Sequence, residues 1–159
     1  MKNIQERFDQ DTADQAVGIF HQRILEPRKL GTNDCCLAVA EVLKAVWGVD
    51  LMRGIRGVYA SQKGVGHVIC KLLGASDFAD AIDKVVTEAG AKPLDDQQSP
   101  TPKEFDLGIG LLDQGTDREN GLQCIPAFYW QGYWMAMTDT GFATLEVITT
   151  IYRYEPEVK

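Results

Sequence analysis

Histidine is nearly absent from this chain: His21 and His67 are the only two among 159 residues. Any chemistry that needs an imidazole base therefore has two positions to draw on. Also lacking is an apolar run near the ~20 residues that a membrane helix requires, so no membrane span is expected. The opening stretch, Met1-Lys2-Asn3-Ile4-Gln5-Glu6-Arg7-Phe8-Asp9, is polar and has no secretory hydrophobic region. That points to a protein made in a cytoplasm, which leaves it, if at all, as part of an assembly. The four cysteines, Cys35, Cys36, Cys70 and Cys124, show no C-x-x-C spacing, which argues against a zinc ribbon and a redox dithiol. Their spacing also departs from the usual iron–sulfur patterns. Adjacent cysteines rarely bridge each other, so free thiols are expected, and no cofactor is. Internal repeats and low-complexity tracts are missing as well.

Basic residues are in the minority, 16 Lys and Arg against 23 Asp and Glu, for a net charge of −7. The imbalance is local. Residues 1–71 hold ten basic and eight acidic side chains, whereas residues 72–159 hold six and fifteen. An acidic chain repels phosphate backbones, so nucleic acid is not an expected partner. The acidic half reads either as a solvated face or as a docking surface for a basic partner.

What is present suits one globular domain spanning residues 1–159: hydrophobic residues are 45% and charged residues 25%, an ordinary balance for a chain of this length. Asp11 or Thr12 can cap a first helix with Ala16, Val17, Phe20 and Ile24 on one stripe, and Pro27 ends it. A short basic connector then leads to Thr32-Asn33-Asp34, three successive cap candidates. The helix that follows, Cys35 to Trp47, is apolar almost all round, with only Glu41 and Lys44 charged. A helix of that kind is surrounded by protein, and Gly48 stops it. Residues 49–63 form a loop rich in Arg and Gly. A third helix carries Val65, Val68, Ile69 and Leu72 on one face, with Gly74 past its end. A fourth runs from Asp77 to Ala89 and buries Phe78, Ile82, Val85, Val86 and Ala89 before Gly90.

The pattern then changes. Residues 91–104, with Pro93, Pro100 and Pro102, read as a polar linker between a helical half and a sheet half. Apolar residues alternate at 105, 107, 109 and 111, the mark of a half-buried strand over Phe105–Leu112. Asp113–Gly121 is a polar turn, and Leu122–Trp130 a second strand in which Pro126 implies an edge or a bulge. Gln131-Gly132 and Asp139-Thr140-Gly141 are hairpin turns on either side of Tyr133–Thr138. A last strand uses Ile151-Tyr152-Arg153-Tyr154. Helices first and antiparallel strands afterwards is an α+β pattern. The sheet is expected to pack on the Cys35–Trp47 helix through Leu37, Ala40, Leu43 and Trp47. The aromatic group Phe128-Tyr129-Trp130 and Tyr133-Trp134 reads as cross-strand pairs on a hairpin, or as an interface anchor.

The cysteine pair is the unusual local feature. A thiol attacks as the thiolate, and a helix N-terminus lowers its pKa through unpaired N–H groups and the macrodipole. Cys35 or Cys36 stands at such a place. Both also fit the core as small buried residues, which is where free cysteine usually lies.

The stretch Gly31-Thr32-Asn33-Asp34-Cys35-Cys36-Leu37-Ala38-Val39 resembles the Asp-Cys element that opens the nucleophile helix of NlpC-type, papain-like cysteine peptidases. It is closer to an uncharacterised phage and prophage tail-protein family distantly related to them. Further pieces follow in the order that resemblance implies: Gly48-Val49-Asp50, Arg56-Gly57-Val58-Tyr59, Leu72-Leu73-Gly74, and a late hairpin from Tyr133 through Asp139-Thr140-Gly141 to Phe142. The resemblance implies an NlpC-like arrangement with Cys35, not Cys36, as the candidate nucleophile at the first turn of its helix. It also implies a place among tail-tip or baseplate proteins, in the host cytoplasm during assembly and then in the virion tail, within reach of the cell wall. The peptidases pair their cysteine with a histidine at the start of the second sheet strand. That place falls here near Leu122-Gln123-Cys124-Ile125, where there is none. His67-Val68-Ile69 is similar to the family's histidine strand and makes His67 the candidate base. On a helical wheel, however, His67 lies opposite the apolar face, and His21 precedes the cysteine instead of following it.

Without an imidazole to carry a proton to the leaving amine, amide hydrolysis is poorly served. The expectation is therefore a degenerate peptidase fold used as a structural or assembly component of a tail. Its rivals are an active peptidoglycan peptide hydrolase using Cys35, and a cysteine-ligated metal or iron–sulfur protein.

Overall fold

Local signals set the helices. In a computed structural model of the chain, the described residues are 9–27, 34–53, 55, 71, 73–94, 101–113, 122–138 and 141–155. The first helix, α1, spans Gln10–Leu25, and its cap is Asp9, whose carboxylate accepts the Thr12 N–H. The expected caps, Asp11 and Thr12, lie instead in the first turn, because Asp9 already satisfies a donor there. Ala13, Ala16 and Phe20 are buried, and Val17 and Ile24 pack against the core. The second helix, α2, spans Cys35–Trp47 as expected, with Asp34 as its cap and Gly48, at a left-handed φ of 78°, at its end. Seven of its thirteen residues are buried, which accounts for a sequence apolar all round. The third, α3, spans Phe78–Glu88 behind the Asp77 cap and buries Ala81 and Val86. Most of the helix expected over 65–72, and with it His67 and Cys70, lies outside the described residues. So do the loop positions 56–63 and the turn at 114–121.

Six strands form one antiparallel sheet in the order β1-β6-β2-β3-β4-β5. They are β1 Lys92–Pro93, β2 Leu107–Asp113, β3 Leu122–Trp130, β4 Tyr133–Thr138, β5 Gly141–Leu145 and β6 Ile148–Arg153. The polar linker expected over 91–104 thus contains a strand, since Lys92 and Pro93 pair with Arg153 and Tyr152. Two residues at an edge, one of them proline, leave no periodicity to read.

Pro126 lies within an interior strand, and not at an edge. Registered pairs between β3 and β4 run only from Phe128–Met135 to Trp130–Tyr133, so the proline sits beyond them. Gln131 and Gly132 form the tight turn between these strands, with φ of 49° and 90°, the left-handed pair of a type I′ hairpin.

The strand expected from Phe105 begins at Leu107. Phe105 holds a left-handed φ of 63°, a costly state for a large side chain. Its N–H donates to Tyr129 O at 2.8 Å, its carbonyl accepts the Trp47 indole N–H at 3.1 Å, and its ring stacks on Phe128. Nor is β2 half-buried. Leu107 and Ile109 enter the main core, while Gly108 and Gly110 on the other face are buried too.

That second face exists because the sheet coils. Only Glu146 and Val147 join β5 to β6, yet four strand spacings separate them in sheet order. Laid flat, these strands would stand about 19 Å apart, while the connection reaches roughly 11 Å at most. The sheet therefore curls until the β5–β6 corner meets β2, where the Leu111 N–H donates to Val147 O at 3.1 Å. Inside the curl, Ile125, Ala127, Trp134, Ala136 and Leu145 make a small second core. The main core lies between the outer face and the helices, around Phe20, Leu37, Leu43, Ile109, Phe128 and Met137. Helix α2 packs on β3 and β4 as well as on α1. A buried ion pair ties β6 to the approach to β2: Arg153 donates to both carboxylate oxygens of Asp106, which is fully buried, at 3.0 and 2.7 Å.

Candidate functional site at the start of helix α2

Asp34 holds the site together. Its carboxylate, 2% exposed, accepts the N–H groups of Cys36 and Leu37 at 3.1 and 3.0 Å. This fixes Cys35 as the first helical residue, in the first turn, as the resemblance implies. The macrodipole favours an anion at this end, but two of the N–H groups that would serve one are bonded to Asp34. The carboxylate also places a negative charge one residue from the Cys35 thiol.

The two thiols face different surroundings. Cys35 abuts the second core, together with Tyr129, Ile148 and Ile151, whereas Cys36 abuts the main core. Both are half-buried, and their sulfurs stand 4.0 Å apart. Cys36 also lines an apolar cavity of about 60 Å³, with Val39, Ala40, Val85, Leu107 and Pro126 among its other walls. Sequence periodicity gives no sign of this cavity, since it forms where α2, α3, β2 and β3 meet.

Of the two histidines, the described residues include only His21, which is exposed on α1. His67, the candidate base, lies outside them. Strand β3 does begin at Leu122, and no histidine occurs along Leu122–Trp130. Among the described residues, no three His, Cys, Asp or Glu side chains come together as a metal-binding set; Cys70 and the Cys124 thiol are not among those described.

One further polar contact is invisible in the sequence, its partners being 69 residues apart: the Tyr152 hydroxyl donates to Asp83 Oδ1 at 2.7 Å. Burial, and then the Asp83 carboxylate, push the phenol above its ordinary range, so it stays protonated and ties β6 to α3.

A family model described as a domain of unknown function, DUF6950, matches residues 10–151. The chain belongs to that family. The match starts with α1 and ends within β6, so it takes in the capped cysteine helix and nearly the whole sheet. No curated protein and no solved structure matches the chain.

Proposed function

We propose that this chain is a structural or assembly component of a phage tail tip or baseplate, built on a papain-like cysteine-peptidase fold whose catalytic pair has degenerated. The observation that carries the reading is the Asp34-capped helix with Cys35 in its first turn, set against a β3 strand that holds no histidine. An antiparallel sheet that coils against this helix supports the NlpC-like arrangement. So does the order of elements, helices first and strands after. On this reading Cys35 survives as a packing residue beside the second core. The protein would assemble in the host cytoplasm and then reside in the tail, contacting other tail proteins and, through them, the cell wall.

The chemistry is consistent with an inactive site. Amide hydrolysis by a thiol needs one group to take its proton and to protonate the departing amine, and β3, the strand where the peptidases carry that histidine, holds none. The test has two arms. Purified wild type and Cys35→Ala are assayed for cleavage of muropeptides, and tails are assembled with the chain, without it, and with the Cys35→Ala form. The expected result is no cleavage by either protein, failed assembly without the chain, and normal assembly with Cys35→Ala. Cleavage by wild type alone, together with an experimental Cys35–His67 separation within hydrogen-bond reach, would replace this reading with the hydrolase.

A further inference from the structure

Helix α2 opens on two thiols that lie against different cores and yet bring their sulfurs together. Cys35 packs beside the second core and Cys36 beside the main one. Both are half-buried, and 4.0 Å separates the sulfurs. Adjacent residues across a trans peptide stand about 3.8 Å apart at Cα, short of the roughly 4.4–6.8 Å that a disulfide spans. Closing an S–S bond would therefore distort the first turn, which Asp34 holds by accepting the Cys36 and Leu37 N–H groups. The pair is kept as a dithiol, near enough to share one ligand atom and held back from bonding to itself.

An atom shared by both sulfurs has a defined place. With bonds of about 2.3 Å to each thiolate, sulfurs 4.0 Å apart subtend an angle of roughly 120° at that atom. Thiolate pairs are soft donors, whose usual metals are Cu(I), zinc and iron–sulfur clusters. Structural zinc and the common clusters take four protein ligands. Among the described residues no three His, Cys, Asp or Glu side chains gather. Cu(I), with a filled d shell and a preference for few, soft donors, is the ion that two thiolates suit. Held by both, it carries a net charge of −1, which the positive end of the α2 dipole favours.

We propose that Cys35 and Cys36 form a two-thiolate site for a soft monovalent cation, Cu(I). Binding makes two Cu–S bonds, releases the thiol protons to solvent and leaves the metal's oxidation state unchanged. Neither sulfur suffices alone, because the affinity comes from chelation by the pair. The proposal does not rest on the tail-assembly reading: Cys35→Ala would lose the copper and still assemble tails, so either can fail without the other.

The probe is Cu(I) itself, supplied without oxygen as its acetonitrile complex to the reduced full chain, in competition with a chromogenic Cu(I) chelator. The expected result is one ion per chain, with a thiolate-to-copper charge-transfer band in the ultraviolet. Cys35→Ala and Cys36→Ala should each weaken binding by about tenfold or more, the loss that a group merely supporting a ligand already causes. The double variant Cys70→Ala/Cys124→Ala should bind as wild type does, and equimolar zinc should not displace the copper. A second measurement needs no variant, which keeps the test valid if a substitution unfolds α2. Phenylarsine oxide condenses with paired thiols, forming two As–S bonds and releasing one water. After tryptic digestion its adduct should lie on the peptide from Leu30 to Lys44, whose only cysteines are Cys35 and Cys36. Wild-type copper binding that survives either single substitution, that is lost with Cys70 and Cys124 instead, or that zinc displaces would overturn the proposal. So would the absence of an arsenical bridge on that peptide.

Discussion

Replacing Gly110 by alanine tests the coiling of the sheet more directly than any other single change. A Cβ built on Gly110 would lie 2.5 Å from Leu145 Cδ1, 2.9 Å from Val147 O and 3.0 Å from Ile148 Cδ1. The leucine methyl is the end of a rotatable side chain, but Leu145 is only 5% exposed and has little room to turn. Val147 O is backbone, held by the Leu111 N–H at 3.1 Å, so relief there means moving the β5–β6 corner itself. Overpacking of this kind costs about 1–3 kcal/mol. Restricting the unfolded chain returns about 0.4–1 kcal/mol, which at the middle of both ranges leaves a net loss of about 1.3 kcal/mol. At ~2–4 °C per kcal/mol for a chain of this size, the melting midpoint should fall by several degrees. Urea unfolding followed by circular dichroism gives the free energy, and an unchanged m-value would show that the unfolded state is not the cause. The double variant Gly110→Ala/Leu145→Ala should lose less than the sum of the two single losses, by about 0.5 kcal/mol or more, because the two positions share one space. It will not restore full stability while Val147 O stays in place. A Gly110→Ala protein as stable as wild type would refute the packing of the corner on β2, and with it the coiled sheet.

The remaining predictions concern the core and one surface carboxyl. Leu43, fully buried on α2, should cost about 2–5 kcal/mol on truncation to alanine; a measured loss below ~1 kcal/mol would mean that α2 is not the central helix. Glu104 is held above its ordinary value of 4.5 by burial, an effect partly offset by the Gln131 N–H that its carboxylate accepts. The folded state therefore binds this proton more tightly than the unfolded state, so its contribution to stability is full below pH 4.5 and is lost as pH rises through the elevated value. Glu104→Gln keeps an acceptor for Gln131 and cannot ionise, so its stability should fall less than that of wild type across that interval. Superimposable profiles of unfolding free energy against pH would contradict the assignment.

Where the physics is local, the sequence suffices. The bounds of α2 follow from Asp34 and Gly48, because a side-chain acceptor and a left-handed residue terminate a helix whatever surrounds it. β3 and its hairpin to β4 are legible for the same reason, an apolar run closed by a Gln-Gly turn. The cap of α1 was less so, since Asp9, Asp11 and Thr12 are all competent and only the start of the helix chooses among them. The capped cysteine of the candidate site was readable too, whereas the division of its two thiols between two cores was not.

What tertiary structure decided is every feature that depends on a distant partner. β1 is a strand only because β6 supplies its hydrogen bonds. Phe105 leaves the expected strand because Trp47 and Tyr129 hold its backbone in a left-handed turn. Pro126 is tolerated inside the sheet because the β3–β4 ladder stops short of it. Gly108 and Gly110 look like the exposed positions of an alternating strand, since a residue without a side chain cannot signal burial. They are buried because the short β5–β6 connection curls the sheet and brings Trp134 and Leu145 over them. Side-chain periodicity records which face of a strand is apolar; it carries no information about a face made of backbone, and that face is where this sheet closes on itself.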